Sequence, residues 1–165
     1  DFSKATLDGA DFSTADATEA RFTGATGARV VFEKATLAGA KLDGTRFEKG
    51  KCAGIRAARS IWECAFLAGA DFEGAELTDA FFEKANLERA RFSRAQLAGA
   101  RFKRAHLVDA RVTDANLFRA SLEKADLTGA DFSRSNLFEV EFLESVLKNT
   151  LFEGTNLTRT KLAAV

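Results

Sequence analysis

The chain has 165 residues, of which 46% are apolar and 29% are charged, a composition that suits one soluble domain. Its 24 basic and 24 acidic side chains give no net charge, which excludes an overall attraction to nucleic acid or anionic membrane and an overall mimicry of a polyanion. The sequence has no apolar run of about 18 residues and no charged-then-apolar leader, so we expect neither a membrane span nor an export signal.

The whole chain repeats with a period of five residues. Of the 33 positions whose numbers end in 2 or 7, 27 are Phe or Leu, and of the 33 positions ending in 0 or 5, 21 are Ala. In a helix a five-residue step would turn by about 140°, and in a strand it would put successive large residues on opposite faces. The period therefore predicts a chain that bends at every repeat and sends each fifth residue into one common interior.

Glycine placement supports bends at a fixed point of the repeat. Ten of the twelve glycines have numbers ending in 4 or 9. A bend there can use the tolerance of glycine for positive φ. The remaining outward positions carry the charged residues.

The segment "ANLERARFSRAQLAGARFKRAHLVDA", Ala85 to Ala110, resembles the pentapeptide-repeat family, whose consensus is A-(D/N)-L-x-x. The resemblance extends over essentially the whole chain. It implies an all-β, right-handed quadrilateral parallel β-helix with four repeats per 20-residue coil and about eight coils. At about 4.8 Å per coil the rod would be about 40 Å long. We expect residues 1–165 to form a single domain, trimmed or excised from a longer chain, since the sequence has no Met and begins within the repeat.

The stretch Lys49–Phe66, "KGKCAGIRAARSIWECAF", keeps the register but changes the residues that fill it. Trp62 is larger than the Phe or Leu usual at its position, while Ala57, one repeat earlier, is smaller. We expect the pair to conserve core volume, with Ile55 filling space beside Ala57. A functional pocket is the alternative interpretation.

Residues that could carry chemistry are few. Cys52 is predicted to point inward and Cys64 outward, and two cysteines suit a reduced, cytoplasmic setting better than a disulfide framework or a zinc site. His106, the only histidine, is expected on the surface. The sequence therefore predicts no enzyme activity, no catalytic residue, no metal site and no cofactor. The sequon at Asn156 is interpreted as chance, because Leu157 within it is predicted to be buried.

Two surface features remain as candidate sites. Apolar residues at outward positions define a candidate partner surface, in which residues 20 apart are predicted to stack and Arg101 to lie over Phe81. Its members are Ile61, Phe66, Phe81, Arg101, Phe118, Phe138 and Leu143. A run of basic residues defines a candidate anion belt, for which solvated ladders of opposite charge are the simpler explanation. The belt comprises Arg89, Arg91, Arg94, Arg104 and Arg111.

The leading functional hypothesis is a non-enzymatic, rigid scaffold that binds another protein. The family resemblance offers an alternative, a DNA mimic that binds DNA gyrase or topoisomerase IV and protects it from quinolones or toxins, although such rods are usually acidic. We further expect a homodimer through an uncapped end of the solenoid, or a cap that a longer parent protein supplies, together with no nucleic-acid partner and a bacterial cytoplasmic location. A domain of a secreted effector is also compatible with the resemblance.

Overall fold

The computed structural model describes residues 1–161 as a right-handed quadrilateral parallel β-helix. Eight coils of 20 residues follow one another, from 1–20 to 141–160. Each coil has four sides of five residues, which we call faces 1 to 4, so that face 1 begins at residues 1, 21 and 41 and face 4 at residues 16, 36 and 56. The predicted fold, with its eight coils, is confirmed.

Neighbouring coils pair through single parallel bridges between residues 20 apart. Within residues 1–161 there is no helix and no strand longer than one bridge; the bridges run from Thr6–Thr26 to Glu141–Lys161. At the first of them, the amide of Leu7 donates to the carbonyl of Thr26 over 2.7 Å, and the amide of Thr26 donates to Ala5 over 2.9 Å. The side chain of each residue therefore lies beside the side chains of the residues 20 positions earlier and 20 positions later in the chain.

Most corners close through a turn in which the small residue donates its amide to the carbonyl of the central residue, as Ala5 does to Phe2 over 3.0 Å; at one exception, Ala115 donates to the hydroxyl of Ser135 over 3.0 Å. The residue before the small one has positive φ at every described position ending in 4 or 9. Ten of these are the glycines anticipated from the sequence, and the other corners hold residues with a Cβ, such as Lys49 and Arg59 at φ of 57° and 56°. Coil-to-coil hydrogen bonds hold these residues in a conformation that costs about 1–2 kcal/mol each.

The consensus Asp or Asn stabilises the same turn from outside. The side-chain oxygen of Asp11 accepts the amide of Ser13 over 2.8 Å, and that of Asn116 accepts the amide of Phe118 over 3.3 Å. These bonds satisfy an amide that the bent backbone would otherwise leave to water.

The core is a column of side chains inside the tube. Phenylalanines dominate the inward positions of faces 1 and 3, and leucines those of faces 2 and 4. Rings one coil apart stack, as in Phe72–Phe92 with centroids 4.9 Å apart, while rings from opposite faces meet edge to face, as in Phe72–Phe82. Both arrangements are favourable for aromatic pairs.

Trp62 is fully buried in this column, as predicted, and stacks on Phe82 with ring centroids 5.9 Å apart. Its indole N–H donates to the hydroxyl of Ser60 over 2.7 Å, and that hydroxyl donates to the carbonyl of Ala57 over 2.6 Å. Ala57 and Ile55 are also fully buried. The stretch is thus a packed part of the core, and Ser60 has a role that the sequence analysis missed.

Three further predictions concern single residues. Cys52 is buried and Cys64 exposed, as expected, and burial raises the pKa of the Cys52 thiol. His106 is on the surface, as predicted. The prediction that Leu157 is buried is wrong, since 37% of it is exposed because no described coil packs beyond its own.

Candidate interaction surfaces

The sequence-predicted partner surface divides into two separate patches. Ile61, Phe81 and Arg101 form one column of bridged residues on face 1, and Phe66 lies round the corner on face 2. We call these four residues the Phe81 patch. The predicted contact is present, with the Arg101 guanidinium 4.9 Å from the centre of the Phe81 ring.

The second group, the Phe118 patch, consists of Phe118 and Phe138 on face 4, with Leu143 on face 1 of the following coil. The two rings stack with centroids 5.8 Å apart and an angle of 16° between their planes. Both rings are half-buried, whereas Leu143 is 46% exposed.

Every outward-facing phenylalanine lies under an arginine. Besides Arg101 over Phe81, the guanidinium of Arg46 lies 4.2 Å from Phe66, that of Arg119 lies 4.8 Å from Phe118, and that of Arg159 lies 5.8 Å from Phe138. Of these four pairs, only Arg101–Phe81 was predicted from the sequence. The Arg46–Phe66 pair could also have been predicted, because these two residues are 20 positions apart and so lie on adjacent coils.

Polar side chains on face 4 hold one another in place around the Phe118 patch. An amide ladder runs through Gln96, Asn116, Asn136 and Asn156, with bonds of 3.0–3.2 Å between successive coils. Glu139 accepts from Arg119 over 2.6 Å and pairs with Arg159 at 3.4 Å. The stacked rings therefore lie among polar side chains that already hydrogen-bond to one another.

Two further apolar residues of the last described coil are exposed and were not predicted to be part of a surface patch. Val146 is 50% and Leu151 55% exposed, at outward positions that are mostly polar elsewhere. Their exposure could have been predicted, because positions ending in 6 or 1 point outward and these two carry aliphatic residues.

The candidate anion belt lies on three faces. Arg104 is on face 1, and Arg89 is on face 2, where it pairs with Glu88 at 3.3 Å. Only Arg91, Arg94 and Arg111 share face 3. The structure therefore brings three of the five residues together and leaves two elsewhere.

Charge is balanced on each face, as it is in the whole chain. Basic and acidic residues number nine and seven on face 1, five and five on face 2, six and seven on face 3, and four and five on face 4. No face of the described rod presents a continuous acidic surface. Among residues 1–161 there is also no cluster of three potential metal ligands and no helix able to span a membrane.

Comparison with known proteins agrees with this geometry. A family model described as "Pentapeptide repeat region" matches residues 65–142, and one described as "Pentapeptide repeats (8 copies)" matches residues 1–26. No curated protein matched the sequence.

Among solved structures, a trypsin-treated form of QnrB1, a plasmid-mediated fluoroquinolone resistance protein, has a TM-score of 0.72 at 20% identity, over 97% of this chain and 83% of its own. A second trypsin-treated QnrB1 structure has a TM-score of 0.55 at 18% identity, over 92% and 88% of the two chains. A pentapeptide repeat protein from the thylakoid lumen of Arabidopsis thaliana is 35% identical over 56% of this chain and 68% of its own, with a TM-score of 0.43. The five-residue period, the four-sided coil and the two family models together place this chain in the pentapeptide-repeat family.

Proposed function

We infer that this chain is a non-enzymatic, rigid protein-binding module and that the Phe118 patch is its principal contact surface. The carrying observation is the stacked pair Phe118–Phe138, half-buried on a face whose polar neighbours are already hydrogen-bonded to one another. Aromatic and arginine side chains are the residues that most often dominate binding energy at protein interfaces. A surface that is ordered in advance loses little conformational entropy on binding.

The test is quantitative affinity capture from lysate of the source organism, followed by direct binding of the purified captured protein. The double variant Phe118→Ser/Phe138→Ser should weaken that binding at least tenfold. The matched control Phe66→Ser/Phe81→Ser removes two surface phenylalanines from the Phe81 patch and should leave affinity within twofold. Circular dichroism of each variant checks that the solenoid is intact.

Equal affinity for the wild type and the Phe118/Phe138 variant would contradict the assignment of this surface. Loss of binding in the control variant alone would move the contact to the Phe81 patch.

A second candidate function is protection of DNA gyrase or topoisomerase IV by imitation of DNA. The observation in its favour is the fold similarity to QnrB1 over 97% of the chain. The charge balance of every face argues against it, because a DNA mimic needs an acidic surface. A gyrase supercoiling assay distinguishes the two candidate functions. If the chain is the proposed interaction module, adding it at micromolar concentration should leave the fluoroquinolone sensitivity of supercoiling unchanged.

The homodimer through an uncapped end remains a proposal, as does the bacterial cytoplasmic location. The exposed Leu143, Val146 and Leu151 of the last described coil are compatible with an additional contact there. Light scattering over a hundredfold range of concentration, with Leu151→Ser as the comparison variant, measures the oligomeric state.

A further inference from the structure

A groove of about 280 Å³ lies on face 3 and extends from the coil that begins at residue 61 to the coil that begins at residue 121. Its lining is almost wholly polar and contains four arginines, two acids and two hydroxyl side chains. These residues are Glu73, Arg91, Ser93, Arg94, Arg111, Thr113, Asp114 and Arg134. Three members of the sequence-predicted belt therefore line one shallow surface groove.

Three of the four arginines are already paired. Glu73 accepts from Arg91 over 2.8 Å and also from Arg94, and those contacts lower the pKa of its carboxyl. The carboxylate of Asp114 accepts hydrogen bonds from Nε and Nη2 of Arg134, over 2.7 and 2.8 Å. These two ion-pair clusters line the groove.

Arg111 is the exception, because it forms no ion pair with any residue in 1–161. It lies one coil from Arg91 on one side and Asp131 on the other. Asp131 instead accepts the amide of Ser133 over 2.9 Å. The planar guanidinium of Arg111, with its five N–H donors, is thus available to a ligand.

The floor of the groove supplies a further donor. The hydroxyls of Ser93 and Thr113 lie 3.0 Å apart, and Thr113 is only 4% exposed. Two hydroxyls that share one hydrogen bond leave a second O–H, for which a ligand competes with the Asp114 carboxylate, whose pKa is lowered by hydrogen bonds from Arg134 and Thr113. A guanidinium fork beside hydroxyl donors is the arrangement that binds oxyanions bidentately.

We propose that the face 3 groove is an oxyanion site in which Arg111, with the Ser93–Thr113 hydroxyl pair, binds one phosphate or phosphate monoester. A polymer of phosphates does not fit, since Asp71 and Asp131 flank the arginines in the same column and would repel the neighbouring charges. The site is separate from the Phe118 patch on face 4, so the protein-binding proposal and this one can fail independently.

The experiment is a titration with inorganic phosphate followed by NMR of the arginine Nε–H and backbone amide signals, at constant ionic strength set with chloride. The Arg111 and Thr113 signals should shift saturably. Arg111→Gln should weaken phosphate binding at least tenfold, and Thr113→Val should weaken it severalfold. Glucose 6-phosphate, titrated in parallel, distinguishes a monoester ligand from free phosphate by which of the two binds more tightly.

Lys51→Gln is the matched control, because it removes one positive charge from the same column of face 3, outside the groove. It should leave affinity within twofold. Shifts that remain linear in phosphate, or equal losses from Lys51→Gln and Arg111→Gln, would overturn the proposal in favour of general charge screening.

Discussion

The indole N–H of Trp62 donates to the hydroxyl of Ser60, two residues earlier, at 2.7 Å inside the fully buried core. The commonest residue at this repeat position is alanine, and here a serine supplies the hydroxyl that accepts the indole N–H. A large residue with a polar atom was thus accommodated by a change in its neighbour, without a change in backbone register.

Ser60→Ala should therefore destabilise the protein although it restores the consensus. The lost acceptor leaves a buried N–H unsatisfied, which costs about 1–3 kcal/mol. Urea unfolding measures the change in free energy. In a Trp62→Phe background the same substitution should cost less than about 1 kcal/mol, because no indole N–H remains. Ser145→Ala is the control, since that hydroxyl only donates to Phe142; an equal cost at both sites would contradict this explanation.

Gly27→Ala should destabilise the core by overpacking. Gly27 occupies an inward position, and an added Cβ would lie 2.5 Å from Cγ2 of Val30 and 3.0 Å from the backbone of Leu7. We expect a loss of about 1–3 kcal/mol in thermal or urea unfolding. Adding Val30→Ala to the Gly27→Ala variant should recover part of the lost stability, because it removes the close contact with Val30. The close contact with the Leu7 backbone would remain.

Gly9→Ala gives the contrasting case for this measurement. A Cβ there meets nothing within 4 Å, but φ is +66°, so only the backbone cost of about 1–2 kcal/mol applies. A larger loss at Gly9 than at Gly27 would contradict the volume argument.

The pH dependence of stability should change in opposite directions in Glu83→Gln and Glu73→Gln. Burial raises the pKa of the Glu83 carboxyl, Glu63 adds to the rise, and one carboxyl oxygen has no hydrogen-bond partner. Because its folded pKa is raised, ionised Glu83 destabilises the fold at neutral pH. Glu83→Gln should therefore increase Tm at pH 7, and the gain should disappear as pH falls through the folded pKa of Glu83 toward about 4.3, the unfolded value.

For Glu73 the sign is reversed. Hydrogen bonding and charge from Arg94, with a contribution from Arg91, lower the pKa of the Glu73 carboxyl. Its stabilising effect is complete above about pH 4.3 and is lost as pH falls through the folded pKa. Glu73→Gln should lower Tm at pH 7 and lose that effect in acid; parallel pH profiles for the two variants would contradict both assignments.

One thiol should react in the native protein and two after unfolding. Cys64 is exposed, whereas Cys52 is buried and burial raises its pKa, which removes the reactive thiolate. Titration with Ellman's reagent, with and without urea, counts the thiols. Cys64→Ser should abolish the native reaction, and a native reaction that survives in that variant would contradict the burial of Cys52.

Most of the fold could be predicted because the five-residue period admits neither a helix nor a flat strand. The inward direction of Trp62 and Cys52 followed from register alone, and the stacking of Phe118 on Phe138 followed from the 20-residue coil. Ser60 could not be assigned in this way, because its hydroxyl acts through a single contact that no periodicity records. The burial predicted for Leu157 failed because register gives direction but not what packs above the residue.

By itself, the sequence determined which side chains point inward and which residues are neighbours on adjacent coils. The inward direction follows from the spacing of large and small residues, which sets the bend at every repeat, whereas the 20-residue register between coils is what the resemblance to the pentapeptide-repeat family implies. Only the tertiary structure decided that Arg46, Arg119 and Arg159 also lie over phenylalanine rings, and that within residues 1–161 Arg111 alone of the four groove arginines forms no ion pair. The physical reason is that the backbone period sets the position of each Cα, whereas ion pairs depend on the rotamers and competing partners of long, exposed side chains.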